Sequence, residues 1–292
     1  MLGLELQDAR VVAVSVDDRG QVLARALVEM AGTLAAAADA ALAAVSASDR
    51  GPLGLASTNQ DSIAIAGVVS GLAHRFSAPP PYGPAPSGTA AAVAEAWVGA
   101  ARGMQDVVFF AVGDHTLGGI VRQGTAVTGA RGRAGAIGWM ALNPVEREDY
   151  RKIGCLEAEV AAAGIVRRLI WRIKAGDRSR VQDTVGNDLT AITVDHVLDA
   201  ARNGDGVSIS VVRDTAKYLG MAAANLVVVV DPEVLVLGGI MASAADLLLE
   251  PVRVEISRRL PRSMMDALAI APAALGADAA AIGAARLAAT VR

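Results

Sequence analysis

Twice along this chain a short meander of apolar strands gives way to helices, and that repetition restricts the fold more than any other feature. Residues 3–7, 10–16 and 21–28 read as three strands. Val11, Val12, Val14 and Val16 are β-branched, and Asp17-Asp18-Arg19-Gly20 is a turn. A second meander begins at Asp106, with strands over Val107–Val112 and Gly118–Arg122 and a hairpin turn at Gln123-Gly124. Between the meanders, residues 30–46 form an Ala-rich helix, Leu53–Ala56 a buried strand, and 61–76 a stretch compatible with helix. Pro79, Pro80, Pro81, Pro84 and Pro86 keep 78–87 extended, and a helix follows over Thr89–Ala101 with Ser87 or Thr89 as its cap. After the second meander the pattern gives helices over 157–175, 194–203 and 208–224. Strands over Leu226–Val230 and Val234–Leu237 come next, then a small-residue helix over 276–291. This order predicts a duplicated α/β protein with a cleft between its halves. The expected domains are 1–104, with the closing helix 276–292 packed on it, and 105–275.

Composition removes several function classes. The net charge of −3 offers nothing general to nucleic acid or anionic lipid. Arg253, Arg258, Arg259 and Arg262 read as a solvated helix face. Cys155 is the single cysteine, which excludes an intrachain disulfide and fits a reducing, cytoplasmic setting. The opening residues show no basic-then-apolar leader, and no apolar run reaches the roughly 20 residues of a membrane span.

Several stretches resemble the ROK family of repressors, open reading frames and sugar kinases. Leu117-Gly118-Gly119-Ile120-Val121, Gln123-Gly124 and the glycines of 129–138 are similar to the family's G-G-G-I-V-x-N-G…G-x-x-G-x-A-G-E-I-G-H. Gly154-Cys155-Leu156-Glu157 is similar to its G-C-L-E, and Asn225–Gly239 to its N-x-x-x-x-x-D-P-E-x-I-V-L-G-G. The closing stretch Leu275–Ala285 also matches. The resemblance implies an actin-like, ribonuclease-H-like fold of two domains, a sugar and ATP meeting in the interdomain cleft, and dimers formed through the C-terminal half. A winged-helix module precedes this scaffold in the family's repressors, and a first strand near residue 3 leaves no room for one.

The same resemblance marks what is missing. The family's general base resembles the Asp of E-N-D-x-N-A-A, and the matching stretch Ala85–Ala91 places Ser87 there, with Pro86 and Thr89 at the two Asn positions. Loss of a general base costs about 10²–10⁴ in rate. Ser87 is either a helix cap or a ligand contact. The first phosphate loop, D-x-G-G-T, reads Glu5-Leu6-Gln7-Asp8-Ala9, without its glycines. The second reads Gly113-Asp114-His115-Thr116-Leu117-Gly118-Gly119, so Gly113, Gly118, Gly119, Gly238 and Gly239 are the nucleotide-side candidates. His115 is either a new ligand group or a turn residue in water. Ala136 and Trp139 stand where the family has its sugar-binding Glu and its sugar- and zinc-binding His, and Glu148 and Tyr150 replace the first two zinc cysteines. Glu157 carries over as a sugar-contacting acid or serves as a helix N-terminal carboxylate.

These losses predict a catalytically degenerate member, with no catalytic residue, no zinc and no required cofactor. It would sense a small molecule such as a sugar, or act in assembly, through Glu157, Trp139, His115 and Ser87. Two alternatives stand beside it. One is a divergent ATP- and Mg-dependent hexose kinase of glucokinase or N-acetylhexosamine kinase type, with Glu5, Asp8 or Asp114 as base. The other is a regulator without its own DNA-binding module. The expected partners are a small molecule and a second copy, with no direct nucleic acid and no membrane.

Overall fold

A computed structural model describes residues 1–45, 51–59, 63–72 and 84–290. The proline run over 79–81 lies outside the described residues. In chain order the first elements are β1 (Leu2–Leu6), β2 (Arg10–Val16), β3 (Val22–Glu29), α1 (Leu34–Val45), β4 (Leu53–Ser57) and α2 (Ile63–Gly71). Then come β5 (Ala85–Pro86), α3 (Ser87–Val98), β6 (Val107–Val112), β7 (Thr116–Arg122) and β8 (Thr125–Ala126). The helices α4 (Glu148–Ile153), α5 (Cys155–Val160), α6 (Ala162–Lys174), α7 (Arg180–Thr184), α8 (Val194–Arg202) and α9 (Gly206–Val230) follow. The chain ends with β9 (Val234–Gly239), α10 (Ile240–Ser243), α11 (Ala245–Ser257), α12 (Arg262–Ala267), β10 (Ala269–Pro272) and α13 (Ala279–Thr290).

The strands make two five-stranded sheets, ordered β3-β2-β1-β4-β5 and β10-β9-β6-β7-β8. β1 pairs antiparallel with β2 and parallel with β4, so it is central and buried along its whole length. Two compact units emerge. One comprises Met1–Phe109, Leu117–Gly135 and Ala273–Arg292, and the other Phe110–Thr116 and Ala136–Pro272.

In the first unit, one face of the sheet buries Leu4, Leu6, Val11 and Leu55 against Ala38, Ala41 and Leu42 of α1 and Val68 of α2. The other face sets Val12, Val14 and Val16 against Ala94 of α3 and Ala281, Ile282 and Ala285 of α13. Glu95 of α3 is fully buried, and its carboxylate accepts the backbone N–H groups of Ala100 (2.7 Å), Ala274 (3.0 Å) and Leu275 (3.0 Å). That bond set anchors the chain entering α13, because a buried carboxylate is tolerated only when its oxygens are satisfied.

In the second unit, caps start the helices: Ser179 and Thr193 make capping boxes on α7 and α8, and the Asp205 carboxylate accepts Ser208 N–H at the start of α9. Three sequence expectations change here. Leu226–Val230 is the last turn of α9 and not a strand; Leu226 and Val227 face the core while Val228 and Val229 face solvent, and Asp231 in a left-handed conformation ends the helix. The helix expected over 157–175 is two helices, broken where Ala161 is extended. Ser87 caps nothing: Pro86 holds the N-cap position and Ser87 is the first helical residue. Among the described residues no helix is long and apolar enough to cross a membrane.

Candidate functional site

In the first unit, the base position and the first phosphate loop meet at the end of β1. Glu5 is only 3% exposed. Gln7 Nε2 donates to Glu5 Oε2 at 2.8 Å, and Arg10 Nε donates to Gln7 Oε1 at 2.7 Å. The residue that replaced a loop glycine has thus folded back over the acid and is pinned there by the next strand. Ser87, also buried, lies beside the Glu5 carboxyl, but its Oγ makes no hydrogen bond of full geometry. Burial pushes the Glu5 carboxyl up; Ser87, Gln7 and Arg10 oppose that shift more weakly.

The sign of the linkage follows. Glu5 favours the folded state most below the ordinary glutamate value of 4.5, and this contribution is lost as pH rises from there through the raised folded value. Glu5→Gln is therefore expected to be more stable than the parent near neutral pH, by at least about 1 kcal/mol. The gap should close by about pH 4. Urea titrations at the two pH values check this.

The Gln7 contact also decides the fit of a nucleotide. A triphosphate with magnesium needs open backbone N–H groups at this hairpin. Here Gln7 N–H bonds Arg10 O at 3.0 Å, and a side chain occupies the approach. These residues do not fit that group. The cavity beside the hairpin, lined by Leu6, Gln7, Asp8, Ser57, Asn59 and Ile65, holds about 180 Å³, below the roughly 300 Å³ at which ligand pockets begin.

Gly119 and Gly88 have a structural duty. A Cβ on Gly119 would stand 2.0 Å from Gly88 O, and one on Gly88 2.3 Å from Gly118 O, so β7 and the first turn of α3 cross backbone to backbone. Gly88 and Gly119 therefore allow the close crossing of β7 with the turn that carries Ser87.

In the second unit, Gly113 is open, with nothing within 4 Å of a Cβ built on it. Gly238 is buried at the end of β9, and Gly239 has a φ of +61° with its Cβ direction blocked by Val112 O at 2.0 Å. Glu157, in the first turn of α5, points at the β6–β7 turn. Its Oε1 lies 3.1 Å from His115 Nδ1 and its Oε2 accepts Thr116 N–H at 3.0 Å. A carboxylate accepts, so Nδ1 carries the proton in this pair. Gly138 packs against the same carboxylate, and Trp139 beside it is 56% exposed. Glu157 thus ties the start of α5 to the β6–β7 turn through His115 and Thr116, with the exposed Trp139 next in sequence to the Gly138 that packs on its carboxylate.

The zinc positions do not fit a metal. Trp139 is exposed, Glu148 pairs with Lys152, and the Tyr150 hydroxyl donates to Glu159 Oε1 at 2.5 Å. Cys155 supplies one thiol and is partly exposed. Sequence reasoning missed the Gln7–Arg10 closure. The signal was the pair of glycine losses itself, since each new side chain must go somewhere.

The ROK family model matches residues 18–291, leaving the Glu5–Ala9 hairpin outside it. A glucokinase of Halalkalibacterium halodurans is 35% identical over 199 residues, which is 66% of this chain and 59% of that protein. The chain thus spans about three fifths of the length of that relative. Two solved structures share the fold. A ROK family glucokinase from Streptomyces griseus, in complex with glucose and AMPPNP, superposes with TM-score 0.79 at 23% identity, covering 98% of each chain. A ROK family transcriptional regulator, homolog of the E. coli MLC protein, gives TM-score 0.81 at 19% identity over 99% of this chain and 77% of that one.

Proposed function

This chain belongs to the ROK family and has its actin-like two-domain fold, and from that premise we propose that it binds a sugar or related polyol without phosphorylating it, as a sensing or assembly protein. The observation that carries this reading is the sealed acid. Ser87 offers an alcohol where a base is needed, and the nearest carboxyl group, Glu5, is covered by Gln7. A general base must reach the hydroxyl it deprotonates. The Glu157–His115 pair, by contrast, sets a carboxylate and an imidazole side by side at the β6–β7 turn, and Glu157 stands where the resemblance implies a sugar-contacting acid.

A second reading keeps catalysis. The raised carboxyl of Glu5 beside Ser87 is the kind of group that can take a proton near neutral pH, provided Gln7 swings away. One experiment separates the two. The protein is titrated calorimetrically with glucose, N-acetylglucosamine and N-acetylmannosamine, and ADP release from ATP is followed with each sugar. The expected result is binding of at least one sugar, lost in Glu157→Ala, with no ADP release above background. Turnover at about 1 s⁻¹ or faster, the lower end for ordinary enzymes, would overturn the non-catalytic reading. No binding of any of the three would remove the sensing role.

A further inference from the structure

The positions at which the resemblance implies zinc ligands are those of Trp139, Glu148, Tyr150 and Cys155. A structural zinc cross-links the segments that carry its ligands. Here Trp139 is exposed and Glu148 pairs with Lys152 in solvent, so two of the four positions face outward. Tyr150 faces inward. It is 5% exposed, and its hydroxyl donates to Glu159 Oε1 at 2.5 Å. The same oxygen accepts from Arg147 Nη1 at 3.0 Å, with the Arg147 guanidinium 5.4 Å from the centre of the Tyr150 ring. Glu159 Oε2 accepts from Arg168 Nη2 at 2.8 Å. Beside Tyr150, Asp149 accepts from Arg167 Nη1 at 2.8 Å, and Arg167 Nη2 donates to Ala158 O at 2.6 Å. Charge-assisted bonds, the stronger class of hydrogen bond, thus join α4 to both α5 and α6.

The consequence falls on α5. It has six residues, too few to hold a helix by themselves. Glu157 and Glu159 are two residues apart, about 200° around the helix axis, so their carboxylates leave on nearly opposite sides. Glu157 reaches the β6–β7 turn and accepts Thr116 N–H, while Glu159 reaches α4 and α6. Each carboxylate therefore anchors the helix against the pull of the other. We propose that Tyr150 and Glu159 have taken over the cross-link a zinc ion would make, that they are positioning residues for Glu157, and that this segment holds its fold without zinc. Tyr150 stands at a metal-ligand position and supplies a phenol hydroxyl to a buried carboxylate instead. Glu157 is the acid on which the sugar-binding reading rests, and its placement is readable with no sugar present.

The test joins metal analysis to amide exchange, both on the full chain. Elemental analysis of the parent is expected to find no stoichiometric zinc, and its thermal unfolding should be the same with and without 1,10-phenanthroline. Tyr150→Phe deletes only the hydroxyl. Followed by nuclear magnetic resonance, exchange of the Thr116 amide should speed up in that variant at least about tenfold, the scale of one lost hydrogen bond to a charged group. The amides of β6 should speed up with it. Glu157→Ala removes the acceptor of Thr116 N–H and should also speed its exchange. Stoichiometric zinc in the parent, or a loss of stability on chelation that added zinc reverses, overturns the proposal with no variant needed. So does an unchanged Thr116 rate in Tyr150→Phe: faster exchange confined to β6 would show a bond that stabilises the unit without placing Glu157. A Thr116 rate indifferent to Glu157→Ala would remove the bond on which the positioning stands.

Discussion

Gly283→Val is expected to destabilise the protein by at least about 3 kcal/mol, the upper end of what overpacking costs. α13 lies against the first sheet at a distance only backbone can tolerate. A Cβ on Gly283 would be 1.7 Å from Ala90 O of α3. From the sheet side, a Cβ on Gly3 would be 1.9 Å from Ala281 O and one on Gly54 1.8 Å from Ala284 O. None of these collisions is with a flexible side chain, so relief requires the helix itself to move. Moving α13 would also loosen the Glu95 bonds to Ala274 and Leu275, which hold the chain just before it. Gly67→Ala is the control. Gly67 sits in α2 with nothing within 4 Å of its Cβ direction, and alanine there should add about 1 kcal/mol of stability. Guanidinium denaturation of both variants, read by circular dichroism, gives the two signs. A Gly283→Val protein as stable as the parent would mean that α13 is not packed this way.

That helix also shows what the sequence could and could not tell. Its small residues were plain, and so were the opening meander, the strand over Val107–Val112 and the hairpin turn at Gln123-Gly124, where both residues take positive φ. These are local signals, set by β-branching, glycine and turn chemistry. The run of valines at 227–230 failed as a local signal. β-Branched residues favour strands weakly, while a helix already propagating from Gly206 adds a hydrogen bond for each residue fixed. Ser87 failed for the opposite reason: its hydroxyl is a good cap in isolation, but the proline before it already holds the cap position. The acid–hydroxyl pair of Glu5 and Ser87 joins residues 82 positions apart. No periodicity reports such a contact, so the resemblance set Ser87 at the family's base position without showing that the Glu5 carboxyl group lies beside it.

The same limit applies to the charge cluster of the second unit, which yields the other large effect. Glu159→Ala is expected to cost about 3–5 kcal/mol. The Glu159 side chain is 6% exposed and that of Arg168 16%. Arg168 Nη2 donates to Glu159 Oε2 at 2.8 Å and to Glu159 O at 2.9 Å, while its Nη1 donates to Thr215 Oγ1 at 2.9 Å. Arg147 Nη1 and the Tyr150 hydroxyl donate to Oε1 at 3.0 and 2.5 Å. One carboxylate therefore joins the segment before α4, α4, α6 and, through Arg168, α9. Burial, reinforced by the bond to Glu159, pushes the Tyr150 hydroxyl up, against the opposing bond from Asn143, so it stays a donor across the ordinary pH range. Alanine at 159 would leave the Arg168 guanidinium with little water and no countercharge, and that uncompensated charge is the main cost. Glu159→Gln keeps an acceptor and should cost less than alanine. Glu159→Leu combined with Arg168→Met removes both charges, and its loss should fall well below that of Glu159→Ala, because an apolar pair spares the desolvation of both ions. A double-mutant cycle on denaturant midpoints measures the coupling. If Glu159→Ala and the double variant lose equal stability, the cost lies in packing and not in the stranded charge.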